Sequence, residues 1–405
     1  MRRTITMFFC SATLLAPFGF GPEALVVRLV LSGEQIAAAK GESNPARIAP
    51  FRLAATADNR LFFSDHGDRD RIVIFEAYSI TPREVVMITD TASLRAKVDE
   101  LNGDDPAPDR MSVQALDLDR DGHLIILTDG ADPEQAYLFH VDRKTKEVAL
   151  VSGLDRPFLP AAPISSIEGN RSLAVLGTTA YITLNDRFGA FSGDSIVAID
   201  VHSATDGRGV AQEVISAAQL EAVTGQGQDA IELNDIAVRP SRNTLVAINS
   251  GRAQSNDDIL EIDPQAGTVS VLVAASDIEA DLGIPDVGFS GIDVGPEDVI
   301  YVMNTFGTSG HPATRGIIAI RNARDGQGEA SLFAPQAEIL ASPEIRSVSG
   351  TPVTELRLQN AGLAVHPITG EVFFTESDLG RPTTQTNGII GVRRVTGTEP
   401  PPPSY

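Results

Sequence analysis

Six short segments of the sequence end in an acid or an amide: Asp65, Asp129, Asn185, Asn249, Asn304 and Glu376. Each closes an apolar run, as in Leu61-Phe-Phe-Ser-Asp65, Ala180-Tyr-Ile-Thr-Leu-Asn185 and Val372-Phe-Phe-Thr-Glu376. If the six ends meet, they form a ring of oxygen donors suited to a hard cation such as Ca²⁺, which takes about six to eight oxygens. Acids and amides also end strands because their side chains accept hydrogen bonds from turn backbone. The pattern therefore carries both a ligand reading and a structural one.

Around these ends, each segment belongs to a repeated unit. A short alternating strand, a tight polar turn, a second apolar strand ending in the acid or amide, a loop and a third strand recur six times. The first copy runs through Leu53-Ala-Ala-Thr, the turn Asp58-Asn-Arg60, Leu61 to Asp65 and Arg71 to Phe75; the last runs through Leu363-Ala-Val, Val372 to Glu376 and Gly388 to Arg393. A more polar fourth strand fits segments such as 84–88, 147–151 and 268–273. Six such units predict an all-β fold, a six-bladed β-propeller with four-stranded antiparallel blades. The sixth copy lacks a fourth strand, and Ala24 to Leu31 is a strand without a partner. That strand is expected to close the ring by completing the last blade, which removes an open sheet edge. Helical pieces at 93–100, 217–223 and 276–282 fall between blades. The expected organisation is a signal-peptide-like segment at 1–23, the propeller at 24–396 and a Pro-rich tail at 397–405.

The chain carries 32 Lys plus Arg against 54 Asp plus Glu, a net charge of −22, which argues against nucleic acid or anionic lipid as partners. Arg2 and Arg3 precede an apolar stretch, the pattern of an export signal, so an extracellular or periplasmic location is expected. The one cysteine, Cys10, lies inside that stretch, which leaves the mature chain without a disulfide. No later segment has the length and apolarity of a transmembrane helix. The chain is expected to be a monomer that meets a small polar ligand or a protein partner.

The repeats resemble the six-bladed propeller superfamily that holds NHL-repeat proteins, gluconolactonase and senescence-marker lactonases, and strictosidine-synthase-like proteins. The segment Leu53 to Phe75 carries the NHL likeness, Glu232-Leu-Asn234-Asp235 is similar to the lactonase N-D segment, and Asn360-Ala-Gly362 to its N-G segment. Serine stands at Ser290 where those lactonases have an aspartate in a D-G pair. The resemblance implies a Ca²⁺ site at the central mouth held by Asn234, Asn360 and Glu376, with Asp65 and Asp129 beside them. Asp235, Asn185, Asn249, Ser290, Asn304, His66 and His311 are the expected ligand-binding residues, and no residue is singled out as catalytic.

Two further expectations follow from spacing. Asp117-Leu-Asp119-Arg-Asp121-Gly122 has the spacing of an EF-hand loop, but Thr128 stands where the closing glutamate would be, so a hairpin turn empty of metal is expected. With no paired histidines visible along the chain, soft sites of the copper or structural zinc kind are set aside. The functional readings are a Ca²⁺-dependent hydrolase of a lactone or ester, or a non-catalytic propeller that binds a sugar, peptide or protein.

Overall fold

The structure, a computed structural model, describes residues 23–68, 70–79, 84–102, 107, 110–130, 136–154, 172–184, 194–227, 230–250, 257–284, 286–305, 315–356, 358, 362–377 and 385–395, with backbone only at 129 and 130. The signal-like segment up to residue 22 and the Pro-rich tail lie outside them.

Strand β1 (Ala24–Leu31) comes first. Blade 1 is β2 to β5 (Pro50–Ala55, Arg60–Asp65, Val73–Tyr78, Val85–Asp90), and blade 2 is β6 to β9 (Met111–Leu118, Leu124–Gly130, Ala136–Val141, Val148–Ser152). Blade 3 is β10 to β13 (Leu173–Leu176, Thr179–Leu184, Ser195–Asp200, Gln212–Ile215), and blade 4 is β14 to β17 (Leu233–Arg239, Thr244–Ser250, Asp257–Asp263, Thr268–Val273). Blade 5 is β18 to β21 (Phe289–Val294, Ile300–Asn304, Gly316–Arg324, Gln327–Pro335), and β22 to β24 (Leu363–Val365, Val372–Glu376, Gly388–Val395) begin blade 6. Each blade is one four-stranded antiparallel sheet. The chain is a six-bladed β-propeller.

The ring closes as the unpartnered first strand requires. β1 pairs antiparallel with β24, from Ala24 opposite Val395 to Leu31 opposite Ile389. A side chain reinforces the closure: Arg28 on β1 grips both oxygens of Glu371 at 2.6 and 2.7 Å and donates to the Ser79 carbonyl of blade 1 at 2.6 Å. One guanidinium thus ties the outer strand of the last blade to the first blade.

Middle strands such as Leu124–Gly130 read as unbroken apolar runs because neighbouring blades cover both their faces. Outer strands alternate: in Thr268–Val273 every second residue of the first four is exposed. Six apolar clusters fill the six blade interfaces; between blades 1 and 2, Phe62, Ile74, Ile126 and Phe139 pack with essentially no exposure. Among the described residues five α-helices, α1 (Gly33–Lys40), α2 (Thr91–Asn102), α3 (Ala217–Thr224), α4 (Ala275–Leu282) and α5 (Gln336–Leu340), each follow an outer strand and lead to the next blade. Ser32 and Gln35 form a capping box on α1, and Gly41 ends it in the left-handed conformation.

Candidate functional site

Strand pairing fixes which residues are equivalent from blade to blade. Counting from the inner-strand residues Leu53, Leu116, Leu173, Ile236, Ile292 and Leu363, the equivalent second-strand ends are Asp65, Thr128, Leu184, Asn249, Asn304 and Glu376. The expected ring is therefore displaced by one residue in blades 2 and 3. Thr128 and Leu184 hold the positions assigned to Asp129 and Asn185. The Asp129 side chain and all of Asn185 lie outside the described residues.

Three of the remaining ends perform one repeated task. Asp65 Oδ1 accepts the Ala49 amide at 2.7 Å, Asn249 Oδ1 the Glu232 amide at 3.0 Å and Asn304 Oδ1 the Gly288 amide at 3.0 Å. Each accepted amide belongs to the residue just before its blade's inner strand, so each side chain fastens the incoming segment to the second strand. Asp65 also receives Lys40 at 2.6 Å, in an ion pair whose carboxylate is fully buried. Glu376 accepts the Thr386 amide at 2.7 Å and its hydroxyl at 2.6 Å. These oxygens are engaged by the protein's own donors.

The other expected residues divide. His66 is buried, 3.0 Å from Ser64 Oγ and 4.6 Å from the Phe51 ring centroid. Burial, with Arg52 and Lys40 nearby, lowers its pKa to about 3, so the ring is neutral near pH 7. Ser290 donates to the Leu358 carbonyl at 3.1 Å. Asn360 and His311 lie outside the described residues. Asn234 differs from the strand ends: its Oδ1 is buried and has no hydrogen-bond partner among the described residues.

The convergence of carboxylates occurs deeper, on the inner strands. A cavity of about 240 Å³ runs along the axis from Arg52, Ser172 and Asp235 towards Val238, Pro240 and Pro367 at the hairpin-turn end, away from the strand-end ring. Asp117 of blade 2, Asp235 of blade 4 and Asp293 of blade 5 border it. Asp117 and Asp293 are equivalent by pairing, three blades apart and so opposite one another across a six-membered ring. Asp117 Oδ2 accepts the Val175 amide of blade 3 at 2.7 Å; Asp293 Oδ2 accepts the Val365 amide of blade 6 at 2.6 Å. Asp235 accepts the Ile292 amide of blade 5 at 2.9 Å and the Ser172 hydroxyl of blade 3. Each carboxylate thus pins its inner strand to the next.

These bonds stabilise the ionised form, but burial opposes it and wins. Burial raises Asp117 to about 7, with Asp235 adding repulsion, and raises Asp293 to about 7, with Asp117 and Asp235 adding to it. Asp235 is raised by burial as well, while the nearby Arg52 acts the other way. Near pH 7 Asp117 and Asp293 are therefore close to half-protonated, and three carboxyl groups face one cavity with the Arg52 guanidinium nearby. The signal was present in the repeats. At the Asp117 and Asp293 position the other four copies carry alanine, namely Ala54, Ala174, Ala237 and Ala364.

The Asp117 to Asp121 segment departs from expectation in one respect. It is a hairpin turn, as its Asp-Gly pair predicts, but His123, His140 and His202 gather around Asp119, with His140 Nε2 3.2 Å and His202 Nε2 3.4 Å from Asp119 Oδ2. The expectation of unpaired histidines is thereby corrected. Asp119, His123 and His140 belong to blade 2, where pairing of β7 with β8 sets His140 beside the β6–β7 turn, and only His202 arrives by packing of blade 3 beside it.

No family model matches the sequence, and no curated protein sequence matches it. Among solved structures, the chain is similar to a putative oxidoreductase (glucose dehydrogenase) from Thermus thermophilus, at 11% identity and TM-score 0.49, covering 92% of this chain and 100% of that one. It is similar to the PQQ-bound aldose sugar dehydrogenase from Streptomyces coelicolor, at 14% identity and TM-score 0.47, covering 92% and 99%. A prolyl endopeptidase matches at 10% identity and TM-score 0.42 over 91% of this chain; the chain spans about half of that enzyme's length, 53%. Likenesses of this order carry no argument about chemistry.

Proposed function

We propose that this chain is a binding propeller whose axial cavity takes a small cation-bearing ligand, with Ca²⁺ the first to test. The supporting observation is the convergence of Asp117, Asp235 and Asp293 on one cavity, where burial holds all three carboxylates above their usual range. A bound cation would relieve the repulsion among them. The donor set fits a hard ion: the three carboxylates and the Ser172 hydroxyl that line the cavity are all oxygen ligands. Ca²⁺ would supply charge neutralisation there, while the carboxylates keep their bonds to neighbouring inner strands. The charged and apolar start of the sequence supports an extracellular or periplasmic address for this binding.

A second reading, Ca²⁺-dependent hydrolysis of a lactone or ester, draws on the same carboxylates, since a group titrating near 7 suits a general base. Ser290, in the place of the aspartate of the lactonase D-G pair, supports binding over hydrolysis. The test is calorimetric titration of Ca²⁺ into the chelator-treated protein, beside a panel of lactones and esters assayed with and without Ca²⁺. The binding reading expects saturable heat that Asp235→Asn removes and no turnover. Ca²⁺-dependent turnover would favour the hydrolase, and no heat would remove both.

A further inference from the structure

On residues that share nothing with the axial cavity, three of the chain's six histidines meet one buried aspartate at the hairpin end of blades 2 and 3. Asp119 sits in the turn between β6 and β7, and its side chain is fully buried. Its Oδ1 accepts the amides of Asp121 and His123, both at 2.9 Å, which fixes the carboxylate and turns Oδ2 towards the imidazoles. Oδ2 lies 3.2 Å from His140 Nε2, on β8, and 3.4 Å from His202 Nε2, just past the end of β12 in the next blade. His140 Nε2 in turn lies 3.1 Å from Nδ1 of His123, which leads into β7.

This arrangement is poor as a set of hydrogen bonds. A neutral imidazole has one N–H, so His140 Nε2 either donates that proton between two neighbours or turns a lone pair towards at least one of them. One ligand atom each from Asp119, His123 and His140 lie within 4.8 Å of one another, close enough for a single metal ion to reach all three. The spacing matches as well. Bonds of about 2.0–2.1 Å to a tetrahedral ion put its ligand atoms roughly 3.3 Å apart, and the contacts from His140 Nε2 to His123 Nδ1 and to Asp119 Oδ2 are 3.1 and 3.2 Å. Behind His123, Asp142 Oδ2 stands 3.7 Å from the ring's other nitrogen, Nε2. A carboxylate behind a ligating imidazole holds the ring's orientation and tautomer.

We propose that Asp119, His123 and His140 bind a divalent transition metal of the zinc class. Imidazole nitrogens select Zn²⁺, Ni²⁺, Cu²⁺ or Co²⁺ over Ca²⁺, which wants oxygen. Three protein ligands leave one position of a tetrahedral ion open. His202 of blade 3 approaches the same Asp119 oxygen but groups with Asp121 rather than with the other two imidazoles.

The test uses untagged, chelator-treated full chain. One equivalent of Zn²⁺ should bind and raise Tm by several degrees, and Co²⁺ should give the visible absorption of a four-coordinate ion. His140→Gln should abolish both responses. His202, whose side chain is 41% exposed and which lies outside the three-residue group, serves as the control, and His202→Gln should keep both responses. Absence of any Zn²⁺ or Co²⁺ response in the wild-type chain, or a response in His140→Gln equal to that of the wild type, would overturn the proposal. Neither result touches the axial cavity, whose Ca²⁺ titration in His140→Gln should match that of the parent.

Discussion

The propeller has two oxygen-rich layers, and they use the same chemistry to opposite ends. In the strand-end layer, Asp65, Asn249 and Asn304 each accept one backbone amide from the segment entering their blade, and Asp65 adds a buried lysine. In the axial layer, Asp117, Asp235 and Asp293 also accept amides, yet they line one cavity, and among the described residues Arg52 is the cation that acts on Asp235. A ring of acids and amides is therefore no guide to a ligand site until its partners are counted. The layers differ in what meets their acids: Asp65 pairs with Lys40, while burial raises all three axial carboxyls.

Removing a member of the saturated layer should do the most damage to folding. Asp65→Ala strands the Lys40 ammonium, whose side chain is 9% exposed, and leaves the Ala49 amide unmet. Breaking a buried ion pair from one side costs about 3–5 kcal/mol. Denaturant unfolding should show a loss of that size, and a loss under about 1 kcal/mol would mean that the strand-end layer is not the fastening described.

The axial layer should reveal itself through pH. Asp117 and Asp293 move from 3.8 to about 7 on folding, so between those values the native chain holds protons that the unfolded chain has released. Their contribution to stability is full below about pH 4 and declines as pH rises through 7, on the order of a few kcal/mol for the pair. The double variant Asp117→Asn with Asp293→Asn should flatten the fall in stability of the metal-free protein between pH 5 and pH 8. An unchanged slope would show that these carboxylates are not the groups that titrate.

Asn234 should give the smallest effect on stability. Its buried oxygen has no partner among the described residues, so Asn234→Ala removes no hydrogen bond made by that atom and should stay within about 0.5 kcal/mol of the parent. If the oxygen serves a cation, the same variant should bind Ca²⁺ more weakly. A large loss of stability with unchanged affinity would assign Asn234 to the structural layer.

Much of the architecture was legible in the sequence. Apolar middle strands, alternating outer strands and the unpartnered strand from Ala24 to Leu31 predict six blades and their closure, because each follows from which faces neighbouring blades cover. The site was less legible, for two physical reasons. In blades 2 and 3 a polar residue stands one place beyond the paired position, at Asp129 and Asn185, so residue type pointed one way and hydrogen-bond register another. Asp119, His123 and His140 come together through the register of β7 against β8, and His202 through the packing of the next blade, neither of which the linear spacing records. The axial aspartates were within reach, since a carboxylate where four other copies carry alanine marks an inner strand with something to hold.

The measurement that bears most directly on the axial cavity is the Ca²⁺ titration repeated at pH 6 and pH 8 in buffers of different ionisation heat. Carboxylates that titrate near 7 must release protons when a cation displaces them. Binding should be roughly tenfold tighter or more at pH 8, with proton release at pH 6, and both should be lost in Asp235→Asn. Binding with the same affinity and no proton release at the two pH values, or binding that survives in Asp235→Asn, would contradict a cation site built on these carboxylates.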